Sequence, residues 1–262
     1  MDVGEGTRAI VSGATKGIGR ATARALAARG ATVGLMARSE DDLSELAAEL
    51  PGAVALRADV TDASSVDDAV RSFAERAGGL DLMVANAGIA HTAPFTELDA
   101  ARAEEMTQVN FIGTLNQVRS ALTPMLNRGR GHIVVVSSAA ALRGFPWTAV
   151  YAATKAAQKT FAETLRHELS GTGVSLTTVM PGSVTTDLHS HEGERMPDWW
   201  RRGEKIEPSV VADAILEGVA KDRREVFVPG NIRLLALSDA APGLMDRLMV
   251  LMRGGSAAPR RY

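Results

Sequence analysis

Short β-branched runs alternate with longer amphipathic runs along this chain. RAIVS (8–12) predicts a first strand, and GRATARALAARG (19–30) a helix that stops at Gly30. ATVGLMA (31–37) predicts a second strand, and DDLSELAAEL (41–50) a helix ending before Pro51. AVALRADV (53–60) predicts strand three, followed by a helix over 63–77. LDLMVANAG (80–88) predicts strand four, followed by one long helix over about 101–126. GHIVVVSS (131–138) is strand five, with its apolar residues in an unbroken row. Such rows suit strands covered on both faces, as in parallel sheets. A helix over about 148–170, a sixth strand GVSLTTVM (173–180), a helix over 208–220 and a last strand REVFVP (224–229) complete the pattern. Periodicity is lost between Pro181 and about Glu207.

Regular strand–helix alternation predicts an α/β fold: a doubly wound, Rossmann-type, mostly parallel seven-stranded sheet with helices on both faces. No linker and no repeat interrupts the 262 residues, so one domain is expected. In open sheets of this kind, ligands bind at the carboxyl ends of the strands. Those ends are therefore where chemistry is sought.

SGATKGIG (12–19) follows strand one and opens a helix. Its glycines, Gly13, Gly17 and Gly19, permit a tight turn and close approach of backbone to a diphosphate. Thr15, Lys16 and Ile18 complete the loop. An acid at the end of strand two would accept bonds from a ribose diol. Ala37 and Arg38 stand there instead, and Arg38 with Lys16 can meet a 2′-phosphate, which favours NADP over NAD. At the end of strand three, Asp59 is suited to an adenine amino group or to capping the next helix, although Thr61 or Asp62 suits the cap better. At the end of strand four, Asn86 can bridge neighbouring strands, and Gly88 lets the chain pass close to a ribose.

YAATK (151–155) places Tyr151 and Lys155 on one face of a helix. An ammonium one turn away stabilises a phenolate, so Tyr151 is expected to titrate below an ordinary phenol. Ser138 lies just past strand five, where its hydroxyl can hold a carbonyl oxygen; Ser137 is the competing candidate. Asn110 sits within the long helix, where asparagine is mildly unfavourable.

These elements together resemble the short-chain dehydrogenase/reductase family over nearly the whole chain. The resemblance rests on SGATKGIG, Asp59-Val60, ANAG (Ala85, Asn86, Ala87, Gly88), Asn110, Ser138, YAATK and PGSVTT, in the family's order and spacing. Thirteen residues from serine to tyrosine select Ser138 over Ser137. The chain departs from the family's usual pattern at Ser12, often threonine, and at Ala85, often asparagine.

The resemblance implies a ketone or aldehyde interconverted with an alcohol by hydride transfer. Tyr151 would be the general acid/base, Ser138 would orient the carbonyl, and Lys155 would tune the phenol and hold the nicotinamide ribose. Asn110 would hold a water leading from the lysine to solvent. Pro181 and Gly182 would turn over the nicotinamide, with Val184 and Thr186 meeting its carboxamide. Residues 187–207 would form a substrate lid carrying Trp199 and Trp200. A homodimer or homotetramer is expected. The alternative is a catalytically silent NADP(H)-binding sensor or scaffold of the same fold.

Composition narrows the rest. With 45% hydrophobic and 23% charged residues, the chain can bury a substantial core. Its net charge of −2 gives no electrostatic basis for binding nucleic acid. The absence of cysteine excludes disulfides and thiolate sites. His189 and His191 lack further spaced ligands, so no metal is expected. The N-terminus does not read as a secretory signal, and no charge-free stretch of about twenty residues occurs. A cytoplasmic protein without a membrane span is expected, acting on a small carbonyl or alcohol. His91, Thr92, Phe95, Phe145, Pro146 and Trp147 are expected near a fairly apolar pocket. The Leu/Met-rich tail (about 231–262), with a helix from Gly243, is read as core or oligomer packing, with membrane-surface contact as the other reading.

Overall fold

A computed structural model describes residues 1–186, 188, 204–240 and 243. Seven strands form one sheet: β1 (Arg8–Ser12), β2 (Thr32–Ala37), β3 (Val54–Arg57), β4 (Leu82–Ala85), β5 (Gly131–Val136), β6 (Val174–Pro181) and β7 (Glu225–Val228). Their order is β3-β2-β1-β4-β5-β6-β7, and every pairing is parallel. The order reverses between β1 and β4, which opens a crevice above their carboxyl ends.

Successive strand residues point to opposite faces, and both faces are covered. Ala9 and Val11 of β1, Leu82 and Val84 of β4, and Val134 and Val136 of β5 pack in one layer. Ile10, Met83, Ile133 and Val135, interleaved with them, pack in the other. The first layer is closed by α1 (Gly17–Ala27), α2 (Glu40–Glu49) and α7 (Pro208–Ala220). The second is closed by α3 (Ala63–Ala77), α5 (Gly113–Asn127) and α6 (Ala149–Glu168). On α7, Val211, Ile215, Leu216 and Val219 have no exposed surface. Each such side chain contributes about 1.5–3 kcal/mol by leaving water.

Two expected elements differ from the sequence pattern. The third strand ends at Arg57, because the chain turns at Asp59, whose Oδ1 accepts from both the Thr61 amide (2.9 Å) and the Thr61 hydroxyl (2.8 Å). Asp62 caps α3, accepting from the Ser64 and Ser65 amides. The long helix is divided into α4 (Ala100–Met106), a π-helical turn (Thr107–Ile112) and α5. Asn110 lies inside that turn, and π turns widen a helix by one residue per hydrogen-bonded loop.

At the opposite end of the sheet from the crevice, Asp81 accepts a forked pair of bonds from Arg8 (both 2.6 Å) and a bond from Arg128 (3.2 Å). Burial pushes the Asp81 carboxyl up, but the bonds and charge of Arg8, helped by Arg128, outweigh it and hold the group below its ordinary range. His132 of β5 is buried with its Nε2 2.8 Å from the Thr177 hydroxyl. That hydroxyl donates to the Arg223 carbonyl, so His132 Nε2 is the donor to it. Burial lowers the His132 pKa from 6.5 to about 4. The unfolded chain therefore takes up a proton that the folded chain refuses. Stability is complete above pH 6.5 and is lost as pH falls through about 4, by about 3 kcal/mol from this group. His132→Gln should flatten that limb in denaturant melts run between pH 7 and 4. An unchanged acid limb would show that the destabilising proton goes elsewhere.

Candidate active site

The crevice at the strand ends is a cavity of about 1010 Å³ that runs from Arg38 at one end to Tyr151 and Phe145 at the other. Its floor begins at the glycine loop. Gly13 has φ +59°, and a Cβ at Gly19 would lie 2.1 Å from the Gly13 carbonyl oxygen, so neither position accepts a side chain. Gly19 itself does not line the cavity; its bareness lets the first turn of α1 sit against the loop, while Gly13, Thr15, Lys16, Gly17 and Ile18 face the space. A cradle of this shape, opening onto a helix N-terminus, fits a dinucleotide diphosphate.

Ser12 keeps the hydroxyl that the family's usual threonine carries. Its Oγ accepts from the Asn86 and Ala87 amides (2.9 Å each), and Asn86 Nδ2 donates back to the Ser12 carbonyl at 2.9 Å. The end of β4 is thereby fixed to β1 although Ala85 offers no amide. Arg38, Asp59, Val60, Ala87 and Gly88 line the cavity with Lys16. Asp42, one turn into α2, is a further acid at that end, and Ser39 is occupied as the α2 cap, accepting from the Asp42 amide.

At the other end, Ser137 and Ser138 leave β5 in different directions. Ser137 is buried and donates to the Lys155 carbonyl (2.8 Å), joining β5 to α6. Ser138 faces the cavity, is hydrogen-bonded to the Tyr151 phenol and accepts from the Ala140 amide (3.1 Å). Both serines line the cavity, but the Ser137 hydroxyl is spent on α6 while that of Ser138 meets Tyr151.

Lys155 is buried to 4% exposure, with Nζ 5.7 Å from the centre of the Tyr151 ring and 3.1 Å from the Val136 carbonyl it donates to. No carboxylate among the described residues pairs with it, and burial lowers its pKa from 10.5 to about 7. The structure reverses the expectation for Tyr151. Burial raises the phenol above its ordinary value, and the Ser138 hydrogen bond only partly opposes this. The lysine does not overcome it, because the same burial leaves the ammonium half-discharged near neutrality.

Asn110 sits in the π turn, close to Lys155 across Gly88. It is fully buried and does not line the cavity. Its Oδ1 accepts from the Ile89 amide (2.8 Å), and its Nδ2 donates to the Ile89 carbonyl (3.0 Å) and the Thr154 hydroxyl (3.1 Å). Its backbone carbonyl is taken by Gln158 and Thr114, each at 2.7 Å. The resemblance linked Asn110 to the lysine but could not reveal these partners, which come from α5, α6 and the chain after β4.

Pro181, Gly182, Val184 and Thr186, which the resemblance assigns to the nicotinamide, line the cavity. Val184 pairs with Ile206, with Thr185 donating to the Ile206 carbonyl (2.9 Å) and Ile206 to that of Ser183 (2.9 Å). Ser183, which sequence reasoning passed over, also lines the cavity, and its Oγ is buried without a partner among the described residues. An orphaned hydroxyl there suits a ligand amide.

His91, Thr92 and Phe145 line the cavity as expected. Phe95 instead is 71% exposed. Pro146 and Trp147 do not line the cavity; Trp147 adopts φ +70°, and its carbonyl accepts from the Ala93 amide (3.0 Å), tying two wall segments together. The tail contributes Ile232 and Leu235 to the cavity wall, which corrects the reading of those two as core or oligomer packing. His189, His191, Trp199, Trp200 and the helix from Gly243 lie outside the described residues. No metal-binding cluster, and no helix long and apolar enough to cross a membrane, occurs among the described residues.

A glycine cradle and a serine–tyrosine–lysine group in one crevice define a nucleotide-dependent oxidoreductase, and comparison with known proteins agrees. The short chain dehydrogenase family model matches residues 7–197. An uncharacterized oxidoreductase of Staphylococcus epidermidis is 35% identical over 209 residues, 79% of this chain and 88% of that one. A short-chain dehydrogenase/reductase of Burkholderia phymatum, solved in complex with NAD, superposes with a TM-score of 0.85 at 25% identity, covering 94% of this chain and 97% of that one. An alcohol dehydrogenase of the archaeon Thermococcus sibiricus, complexed with 5-hydroxy-NADP, gives 0.75 at 30% identity, covering 84% and 95%. The chain belongs to the short-chain dehydrogenase/reductase family and is one of its oxidoreductases.

Proposed function

We propose that the protein is an NADP(H)-dependent oxidoreductase that interconverts a carbonyl and an alcohol at the Ser138–Tyr151–Lys155 end of the crevice. The observation that carries this reading is the single cavity joining that group to the glycine loop and to Arg38. A bound nicotinamide supplies or accepts the hydride. Ser138 holds the carbonyl oxygen beside Tyr151. As negative charge develops on that oxygen, the neutral phenol delivers its proton, and in the reverse direction the phenolate recovers it. A raised phenol suits the reducing direction, since Tyr151 then carries its proton throughout the neutral range.

Lys155 would hold the nicotinamide ribose, and in its charged form would stand as a cation beside the phenol. The substrate is fairly apolar, because Phe145, Ala140, Ile232 and Leu235 wall its end of the cavity. A carbonyl and alcohol panel followed by NADPH absorbance tests the activity. Failure to turn over any member despite tight NADPH binding would favour the silent sensor instead.

Cofactor preference is tested separately by calorimetric titration. NADPH should bind at least about tenfold tighter than NADH, because charge-assisted bonds from Arg38 and Lys16 are worth about 1.5–3 kcal/mol each. Arg38→Ala should remove most of that difference and leave NADH affinity nearly unchanged. Equal affinities in the native protein would assign these cations to the surface.

A further inference from the structure

Four buried side-chain atoms have no hydrogen-bond partner among the described residues: Arg20 Nε, Gln117 Oε1, Gln158 Oε1 and Ser183 Oγ. Of these residues only Ser183 lines the crevice. Neighbouring hydroxyls are already engaged. Ser137 donates to the Lys155 carbonyl and Thr148 to the Phe145 carbonyl, each at 2.8 Å, and Ser138 is hydrogen-bonded to Tyr151. A hydroxyl withdrawn from water without a partner is costly, and buried polar groups in folded proteins are nearly always paired. Ser183 therefore points to a bond that a ligand completes.

The backbone sets this hydroxyl at the apolar end of the crevice. Just before it, a Cβ on Gly182 would stand 3.4 Å from Pro229 Cδ and 3.8 Å from Ile232 Cγ2. Just after it, Val184 pairs with Ile206, and both pack against the first core layer. Thr186 then lies over Gly17, where a Cβ would stand 2.8 Å from Thr186 Cγ2. The segment thus runs from the wall at Ile232 to the glycine loop, with Ser183 near its Ile232 end. Its backbone is held there, since the Ser183 carbonyl accepts from the Ile206 amide at 2.9 Å.

Strand register sets the separation from Ser138. Val136 of β5 stands beside Val179 of β6, and the Ser137 amide continues the ladder by donating to the Val179 carbonyl at 2.8 Å. Ser138 is also extended, with φ −166° and ψ 159°, so it falls beside Pro181, two residues short of Ser183. With strands about 4.8 Å apart and about 3.3 Å per residue, the two serine Cα atoms are on the order of 8 Å apart. Hydrogen bonds of about 2.8 Å from each hydroxyl bridge that span when two ligand oxygens lie a few ångströms from one another. Oxygens on adjacent or alternate carbons have that spacing.

We propose that Ser183 is a specificity-determining residue: its hydroxyl donates to a second oxygen of the substrate while Ser138 and Tyr151 hold the reacting one. The favoured substrates are ketones with a keto or hydroxyl oxygen on the α- or β-carbon, their apolar remainder lying against Ile232 and Leu235. This deepens the carbonyl–alcohol reading above and rests on it. The nicotinamide carboxamide is the rival claimant for the hydroxyl, but the resemblance gives that group to Val184 and Thr186, further towards the glycine loop.

The test compares 2,3- and 2,4-hexanedione with 2-hexanone, using NADPH, in the native protein and in Ser183→Ala. The variant should lose about five- to tenfold in kcat/KM on the diones, the worth of one hydrogen bond, with 2-hexanone turnover and NADPH affinity within about twofold. Ser183→Cys, close in size but a weak donor, should show the same selective loss. An equal loss on all three ketones, or none, in variants that still reduce 2-hexanone would overturn this proposal alone. Weakened NADPH binding without a selective loss would give the hydroxyl to the carboxamide and overturn it as well. A native protein that binds NADPH tightly but reduces no member of the wider carbonyl panel removes the carbonyl reading, and this proposal with it.

Discussion

Tyr151→Phe should lose about 10³-fold in kcat while its NADPH affinity stays within about twofold. General acid–base catalysis is worth about 10²–10⁴ in rate, and no other described group in the cavity is hydrogen-bonded to Ser138 in a position to replace the phenol. The ring remains, so the wall and the Lys155 contact keep their shape. Stopped-flow turnover with a reactive aldehyde, paired with calorimetric NADPH binding, reads both quantities. Near-native kcat would remove Tyr151 from the chemistry, and a lost cofactor site would make it a structural residue.

Lys155→Met should be inactive and yet more stable than the native protein. A buried ammonium with no carboxylate partner is a liability to the fold. Its pKa is about 7 when folded against 10.5 when unfolded, so the unfolded chain binds the proton more strongly between those values. The cost is fully present below about pH 7 and falls away as pH rises to 10.5; it amounts to about 5 kcal/mol at its largest. Methionine fills a similar volume without the charge and loses one bond, to the Val136 carbonyl. Melting temperature should therefore rise by several degrees at pH 7, and the gain should shrink towards pH 10. Cofactor affinity should fall in the same variant. A variant that melts lower than native at neutral pH would show that the lysine is charged and satisfied in the folded state.

Much of this site is written locally. The glycine loop, the two serines and the Tyr151–Lys155 pair depend on spacing within one turn or one helix, and spacing survives into the fold. The strands were legible because both faces of the sheet are covered, which makes rows such as those in β5 continuously apolar. The acidity of Tyr151 was not legible. Its sign depends on how much water the finished wall excludes, and the i,i+4 pattern carries no information on that. The partners of Asn110 were hidden for a similar reason: Ile89, Thr114, Thr154 and Gln158 come from three separate segments. Ile232 and Leu235 read as ordinary apolar tail residues until β7 delivers them to the crevice.

The π turn at Thr107–Ile112 also works as a phase shifter. In a regular helix each residue advances the face by about 100°, so one residue more or less between α4 and α5 would rotate everything beyond it by that angle. Met106 before the turn and Val118, Ala121 and Met125 after it are all buried, so both halves are already in register with their surroundings. A single-residue deletion here would leave every side chain chemically intact while turning either Asn110 from Lys155 or α5 from the sheet. This stretch should therefore accept substitutions far more readily than changes in length.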